Sequence, residues 1–225
     1  MDGNRRWASR RHLEPFQGHQ AGAEHVSDLL RWCQRWSIEH LSVYVLSADN
    51  IRKRDSAEVA NLFELLATTV PDAVTRSKEW SLHLSGDLDL LPGPSRHALT
   101  DASTATIGRP RHLTMAIGYD ARRDMLDAVR GALRTRPEGT AWEIDIDDIT
   151  RHLTGGPVKD IDLVIRTGGD KRISGFFPWQ SQGAEIHFVR APWPSFDELD
   201  LVRALAQHAR STRIRGTSTQ ASRPS

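Results

Sequence analysis

The sequence predicts an α/β fold: a single domain with a central parallel β-sheet flanked by helices. Short apolar, strand-forming runs recur at residues 41–46, 80–85, 112–118, 163–165 and 184–189. Between them lie segments whose apolar residues follow the helical period. The resulting order, β-α-β-α, implies parallel strands joined by crossovers, with helices on both faces of the sheet. The chain has 225 residues, enough for one domain with a sizeable core.

In chain order, residues 1–7 (MDGNRRW) place a carboxylate, a flexible glycine and two guanidinium groups in one short loop. Across 19–36, Val26, Leu29, Leu30 and Cys33 fall at i, i+3, i+4 and i+7, which predicts one amphipathic helix. Strand 41–46 (LSVYVL) ends at Ser47, Ala48, Asp49 and Asn50, a strand-to-helix turn. The carboxyl ends of strands are where ligands gather in open α/β sheets. Asp55 and Glu58 form a capping-box pattern ahead of Val59, Leu62, Phe63 and Leu66, the apolar face of the next helix. Segments 95–103 and 121–134 predict further helices, the second through Met125, Leu126, Val129 and Leu133. The 184–189 strand carries Glu185, and Trp193 to Phe196 (WPSF) leads into a last helix through Leu201, Val202 and Leu205. From Ser211 the composition turns to Ser, Thr, Arg and Gly. The expected division is therefore a domain at 1–210 and a mobile tail at 211–225.

Thirty basic residues against twenty-nine acidic leave a net charge of +1, so no global field argues for nucleic acid as a partner. Positive charge must act locally. The single cysteine excludes a disulfide framework and fits a reducing cytoplasm; on its apolar helix face it reads as a packed thiol. Apolar runs of about six residues fall far short of the roughly 18 that a membrane-spanning helix requires. The expected location is cytoplasmic.

The most informative stretch is 162–188, DLVIRTGGDKRISGFFPWQSQGAEIHF. Leu163, Val164 and Ile165 form a buried strand, and Arg166 stands where it leaves the sheet. Gly168 and Gly169 let the backbone turn and a ligand approach. Lys171 and Arg172 add charge, and Ser174 supplies a hydroxyl where a helix is expected to begin. Guanidinium forks, free backbone N–H groups and a helix N-terminus are the parts of a diphosphate grip.

This run resembles the C-terminal signature of the cis-prenyltransferases, the undecaprenyl diphosphate synthase family, and MDGN-x-RW resembles the family's N-terminal signature. The resemblance extends from Met1 to about residue 196. It implies a prenyltransferase that joins isopentenyl diphosphate to an allylic prenyl diphosphate with Mg2+, acting as a homodimer. By resemblance, Asp2 is catalytic and a Mg2+ ligand, Glu185 is a second metal-linked carboxylate, and Asn50 takes part in proton removal. Gly3, Asn4, Arg5, Arg6, Trp7 and His19 would contact substrate, as would Ser47, Ala48, Asp49, Ile51 and Arg54. Arg166, Arg172, Ile173 and Ser174 would grip isopentenyl diphosphate.

Several positions depart from the family pattern. Pro15 stands where many relatives carry a diphosphate-binding arginine; that contact is lost, or Arg10 or Arg11 replaces it. Asp49 and Ile51 replace a glutamate and an aromatic residue. The basic residue after Asn50 is Lys53 by strict spacing, or Arg54 if one residue is inserted. A β-strand precedes the matching methionine in the family and is missing from this chain, so the natural start is expected upstream. The acidic run at 142–149 (WEIDIDDI) has the wrong spacing for the Asp-Asp-x-x-Asp metal motif of trans-type prenyl synthases. Asp147 or Asp148 reads instead as the N-cap of a helix through Leu153.

In the family, the strand at 41–46 and the following helix wall a tunnel for the growing prenyl tail. Bulky residues shorten what fits, so Val45, Leu46 and Phe63 imply a product of about fifteen carbons. The alternatives are a longer-chain polyprenyl synthase, an irregular head-to-middle coupling, or a non-catalytic partner subunit. Asp2, Arg166, Arg172 and Glu185 argue against the last. His19, Asn50 and the Trp179–Gln180 pair argue against irregular coupling.

Overall fold

The computed structural model describes residues 1–135 and 144–221, with side chains as far as Arg213. Three parallel strands, β1 (His40–Ser47), β2 (Trp80–Ser85) and β3 (Arg111–Tyr119), form a sheet in the order β1-β3-β2. In the centre, β3 buries Leu113, Met115, Ala116 and Ile117 completely. A second parallel pair, β4 (Leu163–Arg166) and β5 (Glu185–Phe188), is in register from Leu163↔Glu185 to Arg166↔Phe188. The expected strands are thus all present and parallel, divided between two sheets.

Helices α1 (Asn4–Ser9), α2 (Pro15–Glu24) and α3 (Val26–Arg35) precede β1. The single helix expected over 19–36 is two. The first starts earlier, at Pro15, because proline suits the first helical position and Glu14 and Gln17 close a capping box around it. The division falls at His25, whose ring faces the Phe196 carbonyl at 2.7 Å and Asp28 at 3.1 Å. Val26, Leu29, Leu30 and Cys33 are all buried, as their spacing requires.

Beyond β1 come α4 (Ala48–Lys53), α5 (Ser56–Ala67) and α6 (Thr69–Ser77), then α7 (Gly93–Ala105) and α8 (Ala121–Arg134). Asp55 caps α5 by accepting from the Ala57 and Glu58 amides. No capping box closes there, because the Glu58 side chain turns elsewhere. In α9 (Ile146–His152) the N-cap is Asp145, which corrects the choice of Asp147 or Asp148; Asp148 instead closes the box at the third helical position. Trp142 and Glu143 of that acidic run lie outside the described residues.

No helix begins at Ser174; it sits in a turn with φ 50°. Helix α10 (Glu198–Ala221) runs on through Ser211, so no break in helix marks the composition change there. The main core joins Val26, Leu30, Val43, Leu46, Leu66, Trp80, Leu113 and Met115 with Trp193 and Phe196. Ala116, Tyr119 and Phe177 form a smaller cluster with Tyr44 and Phe176. Among the described residues, no helix is long and apolar enough to cross a membrane.

Candidate active site

The two ends of the chain interlock. The Asp2 amide donates to Thr167 Oγ1 at 2.9 Å, the Thr167 hydroxyl donates to the Asp2 carbonyl at 3.0 Å, and the Trp193 amide donates to the same carbonyl at 2.8 Å. Gly168, at φ +87°, lies so close that an added Cβ would sit 2.9 Å from Arg6 Nη2 and 3.0 Å from the Asp2 carbonyl oxygen. Helix α1 lies on α2 through Gly18, where a Cβ would meet the Asn4 carbonyl at 2.2 Å. The glycines therefore serve chain-to-chain approach. The amides of Gly168 and Gly169 are not free for phosphate: they donate to the Ala191 and Val189 carbonyls at 2.7 and 3.0 Å. That corrects the expected backbone grip.

Guanidinium groups and carboxylates alternate across this junction. Arg166 Nη2 donates to Asp2 Oδ2 at 2.9 Å and to Asp170 Oδ2 at 3.2 Å. Arg172 also donates to Asp170, at 2.9 Å, and Arg6 reaches Asp2 Oδ1 at 3.4 Å and the Gly168 carbonyl at 2.6 Å. Ser174 Oγ accepts from Arg166 at 2.8 Å and from Arg172 at 3.2 Å. Burial pushes the Asp2 carboxyl upward. The Arg166 hydrogen bond, the Gly3 amide and the charges of Arg166 and Arg6 outweigh it and hold Asp2 below the usual carboxylate range. Arg166 Nε is buried without a hydrogen-bond partner.

A second cluster gathers around Glu58. His19, buried on α2, lies 3.1 Å from Glu58 Oε1, Arg54 Nη1 donates to the same oxygen at 2.8 Å, and Arg5 Nη1 is 3.8 Å from Oε2. Burial lowers the His19 pKa, and although the Glu58 hydrogen bond raises it, the net shift is downward. Lys53 instead pairs with Asp49 at 2.7 Å on the surface, so Arg54 is the basic residue that faces the site.

Arg5, His19 and Arg54 of the second cluster line a cavity of about 550 Å³, and the first cluster reaches it through Asp2 and Arg6. Its mouth is polar, with Asp2, Gly3, Asn4, Arg5, Arg6, His19 and Arg54; its depth is apolar, with Val45, Leu46, Leu62, Leu66, Val70 and Met115. The mouth suits a diphosphate and the depth a hydrocarbon. Phe63 does not line it. Pro15 does, whereas Arg10 and Arg11 do not, and the Arg11 guanidinium stacks 4.3 Å from the Trp7 ring.

Other expected residues stand apart from the cavity. Ser47 caps α4, accepting from the Asn50 amide at 3.0 Å, and places Ala48, Asp49, Asn50 and Ile51 at the carboxyl end of β1. Trp7, Arg166, Arg172, Ile173 and Ser174 also lie outside the lining, with Arg166 tied to the cavity's edge by its bond to Asp2. Glu185 starts β5 opposite Leu163, three residues before the Arg166 level, roughly 10 Å down the ladder at ~3.3 Å per residue. Its carboxylate is 3.5 Å from His208, so within the chain it does not join Asp2. Among the described residues no group of three or more ligating side chains converges. One ionised carboxylate beside a diphosphate grip fits a hard ion held mainly by substrate oxygens and water.

Sequence reasoning missed Thr167, Asp170, Glu58 and Met115. Thr167 and Asp170 stood inside the recognised 162–188 run without a role of their own, Glu58 read as a capping-box residue, and Met115 carried only a strand signal.

Comparison with known proteins agrees with this geometry. Residues 1–216 match the model of the family described as putative undecaprenyl diphosphate synthase. An isoprenyl transferase of Streptomyces fradiae is 40% identical, covering 96% of this chain and 88% of that protein. The (2Z,6E)-farnesyl diphosphate synthase of Mycolicibacterium smegmatis is 37% identical over 92% of this chain and 82% of its own length. Among solved structures, lavandulyl diphosphate synthase from Lavandula x intermedia, in complex with dimethylallyl diphosphate, superposes with a TM-score of 0.85 at 28% identity, covering 92% of each chain. A probable undecaprenyl diphosphate synthase from Campylobacter jejuni gives 0.74 at 27% identity, over 84% of this chain and 89% of that one. The chain belongs to the undecaprenyl diphosphate synthase family and is a prenyltransferase.

Proposed function

We propose that the chain condenses isopentenyl diphosphate with an allylic prenyl diphosphate in a Mg2+-dependent reaction. The product is short, about fifteen carbons, because Val45, Leu46, Leu62 and Leu66 narrow the apolar cavity. The observation that carries this reading is the apolar cavity whose mouth holds Asp2, Arg5, Arg6, His19 and Arg54, with Arg166 bonded to Asp2 beside it. The similarity to the M. smegmatis protein and to a short-chain Z-isoprenyl diphosphate synthase of Mycobacterium leprae, also 37% identical, supports the short product.

Asn4, Arg5, Arg6, His19 and Arg54 hold the allylic diphosphate, with its tail against Val45, Leu46 and Leu66. Arg166, Arg172 and Ser174 hold isopentenyl diphosphate beside it. The allylic C–O bond breaks with its electron pair leaving on the diphosphate, the isopentenyl double bond forms the new C–C bond, and a proton is lost from the isopentenyl unit. Negative charge grows on the departing diphosphate, where fixed guanidinium donors stabilise the transition state most. Asp2 would hold Mg2+, which would supply further charge neutralisation at the diphosphate. A neutral amide is a poor base, so Asn50 positions or relays the departing proton.

The test is incubation with labelled isopentenyl diphosphate, Mg2+ and dimethylallyl, geranyl or farnesyl diphosphate, followed by product chromatography. The expected product, formed from dimethylallyl or geranyl diphosphate and not by extension of the farnesyl primer, has about fifteen carbons, the length the cavity admits. No incorporation from any primer refutes the reading. The likeness to lavandulyl diphosphate synthase supports a second outcome, a branched head-to-middle product, which the same chromatogram separates.

A further inference from the structure

We propose that Glu58 is the positioning residue of the allylic diphosphate grip, holding His19, Arg54 and Arg5 on one carboxylate behind the cavity wall. This rests on the assignment of that grip made above. Arg5, His19 and Arg54 line the cavity and Glu58 does not. The three donors come from α1, α2 and the residue after α4, while Glu58 stands in the first turn of α5. Its side chain is only 16% exposed. A carboxylate has no attraction for a diphosphate, so its place here is explained by what it does to the cations.

Glu58 occupies the third helical position, where a capping box would use it, but its side chain does not cap. The sequence pattern pairs it with Asp55, yet the N-cap bonds are only those that the Ala57 and Glu58 amides donate to the Asp55 side chain. The Glu58 carboxylate is spent instead on His19 at 3.1 Å and Arg54 at 2.8 Å, with Arg5 at 3.8 Å. Long arginine side chains lose rotamer freedom when a ligand captures them. A buried carboxylate that has already gathered them leaves less to lose on binding. No such group in contact with Arg5, His19 or Arg54 belongs to the Arg166 cluster, whose carboxylates are Asp2 and Asp170. The effect is therefore confined to one substrate.

The experiment compares wild type with Glu58→Ala and Glu58→Gln. Calorimetry with geranyl diphosphate and Mg2+ gives the dissociation constant, steady-state kinetics gives the KM for each substrate, and thermal melting reports the fold. Glu58→Ala is expected to weaken geranyl diphosphate by about tenfold or more while the KM for isopentenyl diphosphate stays within about twofold. Glu58→Gln keeps one acceptor oxygen and should fall between; it carries the test if the alanine variant does not fold. Unchanged or tighter geranyl diphosphate binding overturns the inference, as does equal weakening of both substrates, the mark of general loosening. Wild type that binds none of dimethylallyl, geranyl or farnesyl diphosphate removes the grip itself.

Discussion

Replacing Gly168 by alanine probes the contact that brings the two ends of the chain together. The residue has φ +87°, and its added Cβ would lie 2.9 Å from Arg6 Nη2, 3.0 Å from the Asp2 carbonyl oxygen and 3.1 Å from the Asp2 carbonyl carbon. Left-handed backbone costs an L-residue roughly 1–2 kcal/mol. Crowding against a packed neighbour adds roughly 1–3 kcal/mol. Arg6 can swing away, but the Asp2 backbone is held by Thr167 and Trp193, so relief requires moving the loop. The expected loss of unfolding free energy is about 2–5 kcal/mol, the sum of these two effects. Turnover should fall more than about tenfold, because the displaced segment carries Asp2 and leads directly into α1 with Arg6. Urea unfolding followed by tryptophan fluorescence measures the first, and incorporation of labelled isopentenyl diphosphate the second. Gly93→Ala is the control, since a Cβ there meets nothing within 4 Å. A Gly168→Ala protein with wild-type midpoint and turnover would refute the reasoning, as would an equal loss in the control.

Other consequences are open to direct measurement. Each charge-assisted bond to a diphosphate is worth roughly 1.5–3 kcal/mol, or about 10- to 100-fold in affinity. Arg172→Ala should therefore raise the KM for isopentenyl diphosphate, whereas Asp2→Ala should mainly lower turnover; unchanged kinetics in both would remove the mechanism. Val45→Ala widens the apolar wall and should lengthen the product seen on chromatography. Burial lowers the pKa of His19, His83 and His112, and His83 and His112 face each other at 2.9 Å. A folded-state pKa below the unfolded value gives stability that is present above about pH 6.5 and lost as pH falls through the folded pKa. The urea midpoint should thus decline below that pH, less steeply in His83→Gln. Burial drives the Cys33 thiol up to about 12, so a thiol reagent at pH 8 should label it only on unfolding. If the homodimer that the family resemblance implies forms through Ile186 and Phe188, which share the exposed side of β5, it depends on their apolar surface. Ile186→Asp should shift sedimentation toward monomer.

Legibility in the sequence followed the range of the interactions. Strands 41–46 and 163–165 and the buried face of α3 were readable because apolar spacing is a local property. The arginine and glycine signatures were readable because diphosphate binding needs several donors within a few residues. What escaped depends on partners far along the chain. Thr167 matters through a backbone 165 residues away, and Glu58 through His19, 39 residues away. Neither pairing leaves a periodic trace. The missed start of α2 at Pro15 was a local signal outranked by an expected arginine. The N–H groups of Gly168 and Gly169 looked available for a ligand because nothing local shows that the segment after β5 returns to accept from them. Glu185 illustrates the limit of spacing: its position in the motif is clear, yet the ladder register puts it at the far end from Arg166.

The most direct measurement is calorimetric titration of isopentenyl diphosphate into protein already saturated with an unreactive thiolo analogue of geranyl diphosphate and Mg2+. Two separate cationic clusters, one lining the cavity and one beside it, predict that each chain still takes up one isopentenyl diphosphate, and that Arg172→Ala weakens this second uptake by about 10- to 100-fold without releasing the analogue. Displacement of the analogue by isopentenyl diphosphate, one ligand exchanging for the other, would mean a single shared site and would contradict the account.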